Sequence, residues 1–306
     1  MTMHARTDER AAPERGLTRS ASAASRAAAG VLWFLRHKPL GAIGGTLVVL
    51  LALLAIAAPL LTPYDPLQTS PREQLASPSA SHPIGTDQLG RDLWSRILFG
   101  SRISLALGFG AVAIGTFAAI VIGIIGGYYG GAVDAVIERF VDAIMAFPWI
   151  MLMMAFMAVL GTGIFNLMLA LAIAMAPRSS RVVRATVRSI KASQYVEAAT
   201  AIGCTHADII FRHILPNVIS PVIVLTTMYL GWAILVESSL SFIGFGVPPP
   251  FPSWGRTLSD EGRRFMLQAP WIAIFPGVAI SLAVFGFNML GDALRDVLDP
   301  RMRGTQ

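Results

Sequence analysis

Three carboxylates, Asp134, Glu138 and Asp142, stand four residues apart, an interval that puts side chains on one face of a helix. Carboxylates stacked inside a bilayer are costly and mark proton or cation relays, so one chemistry in view is proton-coupled secondary transport. The competing reading places all three at a membrane interface, partly paired with Arg139, where water removes most of the cost. It fits better, because the charge-free stretch begins only after Asp142. His206 and His213 share a face at i and i+7, but the chain has no HExxH. With Cys204 as its single cysteine it has no CxxC and no intrachain disulfide, so no metal site is expected. The two lysines, Lys38 and Lys191, precede Pro39 and Ala192. The Gly-Lys-Ser/Thr of a phosphate-cradling Walker A loop is therefore missing, and no ATP site is expected in this chain. No nucleophile-base constellation stands out in the spans, so the chain is not expected to be an enzyme and offers no catalytic residues.

The elements that carry these residues are membrane elements. The chain is 54% hydrophobic and 14% charged, with mean hydropathy +0.62, whereas soluble domains are about 25% charged. Most of it is therefore solvated by lipid. The net charge of +6 sits between apolar runs without interleaved aromatics, which excludes a nucleic-acid partner and points to membrane topology. Residues 1–39 are polar and rich in Ala, Ser and Arg, reading as a disordered cytoplasmic tail. The apolar run 40–61 contains Ala55-Ile56-Ala57, a cleavage-like pattern. At 22 residues it exceeds the roughly 7–15 of a secretory signal, so it is read as a retained first span.

Further charge-free runs cover 103–133, 143–177, 214–236 and 265–291, each beyond the roughly 20 residues a spanning helix needs. The run 143–177 is one long helix or two spans broken at Gly161-Thr162-Gly163. Charge decides between them, since cytoplasmic segments carry excess Lys and Arg. Six spans with both termini inside put 17 of the 24 basic residues on the cytoplasmic side, whereas five spans leave 11 there. The expectation is an all-α protein of six transmembrane helices in the inner (cytoplasmic) cell membrane. An external segment covers 62–102, a five-helix core 103–292 and a cytoplasmic tail 293–306. The fourth span must extend past Arg178 to reach sufficient length.

Between the fourth and fifth spans, within a loop at about 185–216, lies Glu197-Ala198-Ala199-Thr-Ala-Ile-Gly203-Cys-Thr205-His-Ala-Asp208, followed by Phe-Arg212-His213-Ile-Leu215-Pro216-Asn217. It reads as two short helices and a tight corner. Gly203 suits a left-handed position past a helix end, Thr205 with Asp208 forms a capping box, and Pro216 ends or kinks the second helix. Such a pair either closes a loop at the interface or serves as a mechanical coupler for a docked partner.

The Glu-Ala-Ala pattern, three residues, Gly and a distal Leu-Pro resembles the coupling loop of binding-protein-dependent ABC importer permeases. His213 stands where the common pattern has Ile, as in the peptide and nickel branch of that family. Three further segments are similar to the smaller permease of dipeptide and oligopeptide systems. They are His82-Pro-Ile-Gly85-Thr-Asp87-Gln-Leu-Gly90-Arg91-Asp92-Leu-Trp-Ser95-Arg96 followed by Gly100-Ser-Arg102-Ile-Ser104-Leu, Ser241-Phe-Ile-Gly244-Phe-Gly246 through Trp254-Gly255, and Phe287 through Arg301. The resemblance implies a type I permease fold and alternating access driven by ATP and Mg bound on two partner ATPase subunits. It further implies a second, related permease completing a heterodimer, and an extracytoplasmic solute-binding protein. Dipeptides, longer peptides, glutathione-like peptides and nickel chelates all remain open as solutes. Pro248 to Pro252 and Trp254 fall outside the membrane, Trp254 reading as an interface anchor or a contact for the binding protein.

Overall fold

The computed structural model describes residues 36–298, so both expected tails fall largely outside the described residues. Eight helices carry the architecture: α1 (Pro39–Leu61), α2 (Leu93–Tyr129), α3 (Gly131–Met145), α4 (Trp149–Leu160), α5 (Ile164–Lys191), α6 (Gln194–Ala201), α7 (His206–Phe242) and α8 (Trp271–Leu298). Helices α1, α2, α7 and α8 are each long and apolar enough to cross a bilayer. Helices α3 and α4 qualify together as one broken span, bent by 89°. The bend falls at Phe147-Pro148, ahead of the Gly161 break expected from sequence. Pro148 cannot continue the α3 hydrogen-bond ladder and serves as the N-cap of α4. The chain then turns at Gly161, whose φ is +80°. Helix α5 reaches 28 residues, about 42 Å, only by including its basic second half, and it is not apolar enough to count with those five, where six spans were expected.

Helices α2 and α5 form the tightest seam. Gly115, Ala119, Gly123 and Gly127 recur every four residues on α2, and α5 lies so close that a Cβ on Gly123 would meet Val183 Cβ at 2.6 Å. Small residues allow this backbone approach, which stands in for the hydrophobic driving force that lipid removes. Helix α1 meets α8 through Gly44 and Gly286, and Lys38 Nζ donates to Asp296 at 2.8 Å, fixing the start of α1 beside the end of α8.

α2 begins ten residues before the expected position 103. Asp92 caps it by accepting from Ser95 N at 2.8 Å, and Arg96 is tolerated inside because Asp87 answers its charge at 3.3 Å. Residues 62–92 form a folded cover over this end. His82 Nδ1 meets Asp92 at 2.8 Å, Arg91 meets Asp87 at 2.5 Å, Tyr64 stacks on His82, and Trp271 Nε1 donates to Thr86 O at 3.1 Å. Trp254 is 1% exposed; its Nε1 donates to Ile97 O at 3.0 Å and its backbone N–H to Ser104 Oγ. It is therefore a packing residue between α2 and α7, correcting its reading as an interface anchor. Glu237 is fully buried on α7 and accepts from Ser241 at 2.9 Å and Ser253 at 3.0 Å.

Candidate functional site

At the opposite end of the bundle, α5 hands over to α6 through Ser193, whose hydroxyl donates to Ile190 O. α6 stops where Gly203 adopts φ +85°, its N–H donating to Thr200 O while Cys204 N–H donates to Ala199 O, both at 3.1 Å. The left-handed residue satisfies carbonyls that the helix end would orphan. Thr205 Oγ1 accepts from Asp208 N at 3.2 Å, and its hydroxyl donates to the Asp208 carboxylate. The cap is thus made, with the acid answering the Thr hydroxyl.

The second short helix is not separate, and Pro216 does not end it. Residues Ile209–Ile214 widen into a π turn in which Leu215 N–H reaches Ile210 O, and the helix runs unbroken from His206 to Phe242. The wider turn shifts the hydrogen-bond register and absorbs the missing N–H of Pro216. The Gly203 corner is consequently joined directly to a 37-residue rod.

On this corner Glu197, Ala198, Gly203, Thr205 and Pro216 are exposed, Asp208, His213 and Leu215 are half-buried, and Ala199 is buried. Sequence reasoning missed the apolar residues beside them: Ile202 is 81% exposed, Phe211 68% and Tyr195 48%. The signal was available, since large apolar residues one turn from a polar corner are conspicuous. His206 Nδ1 lies 2.7 Å from the Tyr128 hydroxyl of α2, whereas the His213 ring faces Tyr195, so the histidine pair does not converge. Lys191 Nζ donates to Tyr128 O. The corner therefore touches α2 as well as the two helices it connects.

Asp134, Glu138 and Asp142 do share a face of α3, and that face lies on the basic half of α5. Asp134 accepts from Arg184 and Arg188, Glu138 lies 3.4 Å from Arg181 and 3.6 Å from Arg184, and Asp142 accepts from Arg181. Arg139 is exposed and takes no carboxylate among the described residues, which corrects its expected role. Carboxylates each held by arginine are committed as charge pairs and are poorly placed to shuttle protons.

Where α3 bends into α4, a cavity of about 730 Å³ opens against α5, α7 and α8. Trp149 meets Trp232 edge-on at 5.8 Å, Tyr229 meets Trp232 likewise, and Asn288 and Arg178 line the same space.

Residues 119–304 match the family described as binding-protein-dependent transport system inner membrane component. The chain belongs to this family. Residues 29–78 of the permease match the N-terminal transmembrane domain of oligopeptide transport permease C. It is 44% identical over 269 residues to the dipeptide transport system permease protein of Alkalihalophilus pseudofirmus, covering 88% of each chain. It is 43% identical over 260 residues to the glutathione transport system permease protein of Pectobacterium atrosepticum, covering 85% of this chain and 86% of that one. Among solved structures it is similar to the MetNI methionine ABC transporter, with TM-score 0.52 and 16% identity over 66% of this chain and 96% of that one. That likeness concerns the fold. The protein is a multi-pass membrane subunit of an ABC importer, with the type I permease fold, and works with ATPase and other subunits.

Proposed function

We propose that this permease passes dipeptides or other short peptides across the inner membrane by alternating access, with its Gly203 corner as the contact for an ATPase subunit. The observation that carries the coupling role is the corner itself. Ile202, Tyr195 and Phe211 present apolar surface where the chain has no segment to cover it among the described residues, and α7 runs from that corner through the bundle without a break. A displacement of the corner by an ATPase would be delivered along α7, and through the Tyr128–His206 contact to α2. Glu197, Ala198, Ala199, Gly203, Thr205, Asp208, His213, Leu215 and Pro216 form or support this docking element. ATP and Mg belong to the partner subunits in this reading. Both termini face the cytoplasm with the Gly203 corner, as the positive-inside bias favours and as the Lys38–Asp296 pair permits.

The peptide assignment is supported by the names of the relatives, a dipeptide permease and a glutathione permease. A second, related permease would complete the cavity, a solute-binding protein would deliver the peptide to the end covered by residues 62–92, and the two ATPases would complete the complex. Glutathione is the second reading, favoured by the second relative. The test is ATP-driven uptake into proteoliposomes containing the whole complex, with radiolabelled Ala-Ala and glutathione offered on saturated binding protein. Accumulation of Ala-Ala is expected; accumulation of glutathione alone would reassign the solute, and accumulation of neither would refute the peptide reading.

A further inference from the structure

The cavity at the α3–α4 bend contains a cation that no carboxylate among the described residues answers. Arg178 lies midway along α5, about 20 Å of helix from either end. Its successors on the same helix, Arg181, Arg184 and Arg188, each meet a carboxylate of α3. Arg178 is exposed and lines the cavity, and no carboxylate among the described residues pairs with it. The remaining walls are largely apolar or aromatic, with Asn288 the other strongly polar side chain. A guanidinium set among apolar walls on such a helix is retained where it faces a water-filled space, and such residues mark solute pathways.

We propose that Arg178 is an anion-contacting residue on the solute path, which meets the side-chain carboxylate of an acidic peptide as it crosses the cavity. The inference rests on the peptide reading above. At about 730 Å³ the space is within the 300–1,000 Å³ or so typical of small-molecule sites. A guanidinium offers paired N–H donors that match a carboxylate in planar geometry. Because no acid among the described residues competes at this point, the charge is available to each arriving side-chain carboxylate. The aromatic walls around Trp232 suit apolar or aromatic side chains without polar bonds that would have to be broken for release.

The experiment uses the complete complex in proteoliposomes, with Ala-Glu and Ala-Lys supplied on saturated binding protein. The variants are Arg178→Lys, Arg178→Gln and Arg178→Glu. One charge contact in this cavity predicts that Arg178→Gln lowers the Ala-Glu to Ala-Lys uptake ratio by about tenfold. Arg178→Lys stays within about threefold of wild type, and Arg178→Glu favours Ala-Lys. Equal loss for both peptides, or no loss, would overturn the proposal by showing a packing role or none. Loss of the co-purifying second permease in Arg178→Gln would overturn it by assigning the charge to assembly. A ratio that changes only when phosphatidylglycerol replaces phosphatidylcholine would overturn it by assigning the charge to lipid phosphate. Wild-type vesicles that accumulate neither peptide would instead remove the peptide reading, and this inference with it.

Discussion

Gly123 is the point where the α2–α5 seam is least able to yield. An added Cβ would lie 2.6 Å from Val183 Cβ and Cγ1 and 2.8 Å from Ser180 O, against about 3.5–4.0 Å for comfortable carbon contacts. The obstructing atoms are a Cβ and a backbone carbonyl, so no rotamer change relieves the overlap and the two helices must part. Overpacking of this kind costs about 1–3 kcal/mol, offset by up to about 1 kcal/mol because Ala favours the helix. Gly277 of α8 is the matched control, being helical with open space around it. Gly277→Ala is expected to be neutral or slightly stabilising. The assay is a thermal ramp of the purified tagged complex, read as the surviving monodisperse fraction by size exclusion. Gly123→Ala should lose that fraction about 2–6 °C below wild type, and Gly277→Ala should not. Coincident curves for the two variants would refute the claim that direct backbone approach holds α2 to α5.

Trp254→Ala removes a fully buried indole and is expected to cost about 3–5 kcal/mol, whereas Trp254→Phe loses chiefly the bond to Ile97 O, about 1 kcal/mol; thermal stability of the complex ranks them. Asp134→Asn strips Arg184 and Arg188 of their shared charge, and with Arg188 half exposed the expected loss is about 1–3 kcal/mol. ATP-driven uptake by that variant, corrected for folded protein, should remain within about threefold of wild type, and a protonophore should leave wild-type uptake unchanged. A pH-gradient-driven uptake without ATP would restore the relay reading of Asp134, Glu138 and Asp142.

Much of the architecture was legible in local composition, because bilayer-spanning helices declare themselves by length and missing charge. The Gly203 corner and its Thr205 cap were equally readable, since left-handed glycine and side-chain capping are local rules. What escaped is governed by tertiary partners. Arg96 sits inside α2 because Asp87, nine residues earlier, neutralises it, so a charge-free criterion starts the helix late. Pro216 is accommodated by a π turn that no local preference announces. The acidic face of α3 chose Arg181, Arg184 and Arg188 over the adjacent Arg139, because pairing depends on which helix packs alongside. Trp254 is amphipathic in isolation and reads as an interface residue, yet Ile97 O answers its N–H within the bundle.

The most direct test of the account is mild-detergent purification of the tagged permease from its native cell, with mass spectrometry of what accompanies it, for wild type, Ile202→Asp and Gly203→Asp. Both positions point away from the chain: Ile202 is 81% exposed, and nothing lies within 4 Å of a Cβ on Gly203. Ile202→Asp therefore alters the docking surface more than the fold, whereas Gly203→Asp also strains a corner held at φ +85°. The account predicts Walker-A ATPases and a second permease with the wild type, and the second permease without the ATPases in both variants. Undiminished ATPase recovery in both variants, or a wild-type chain that purifies without any ATPase, would contradict it.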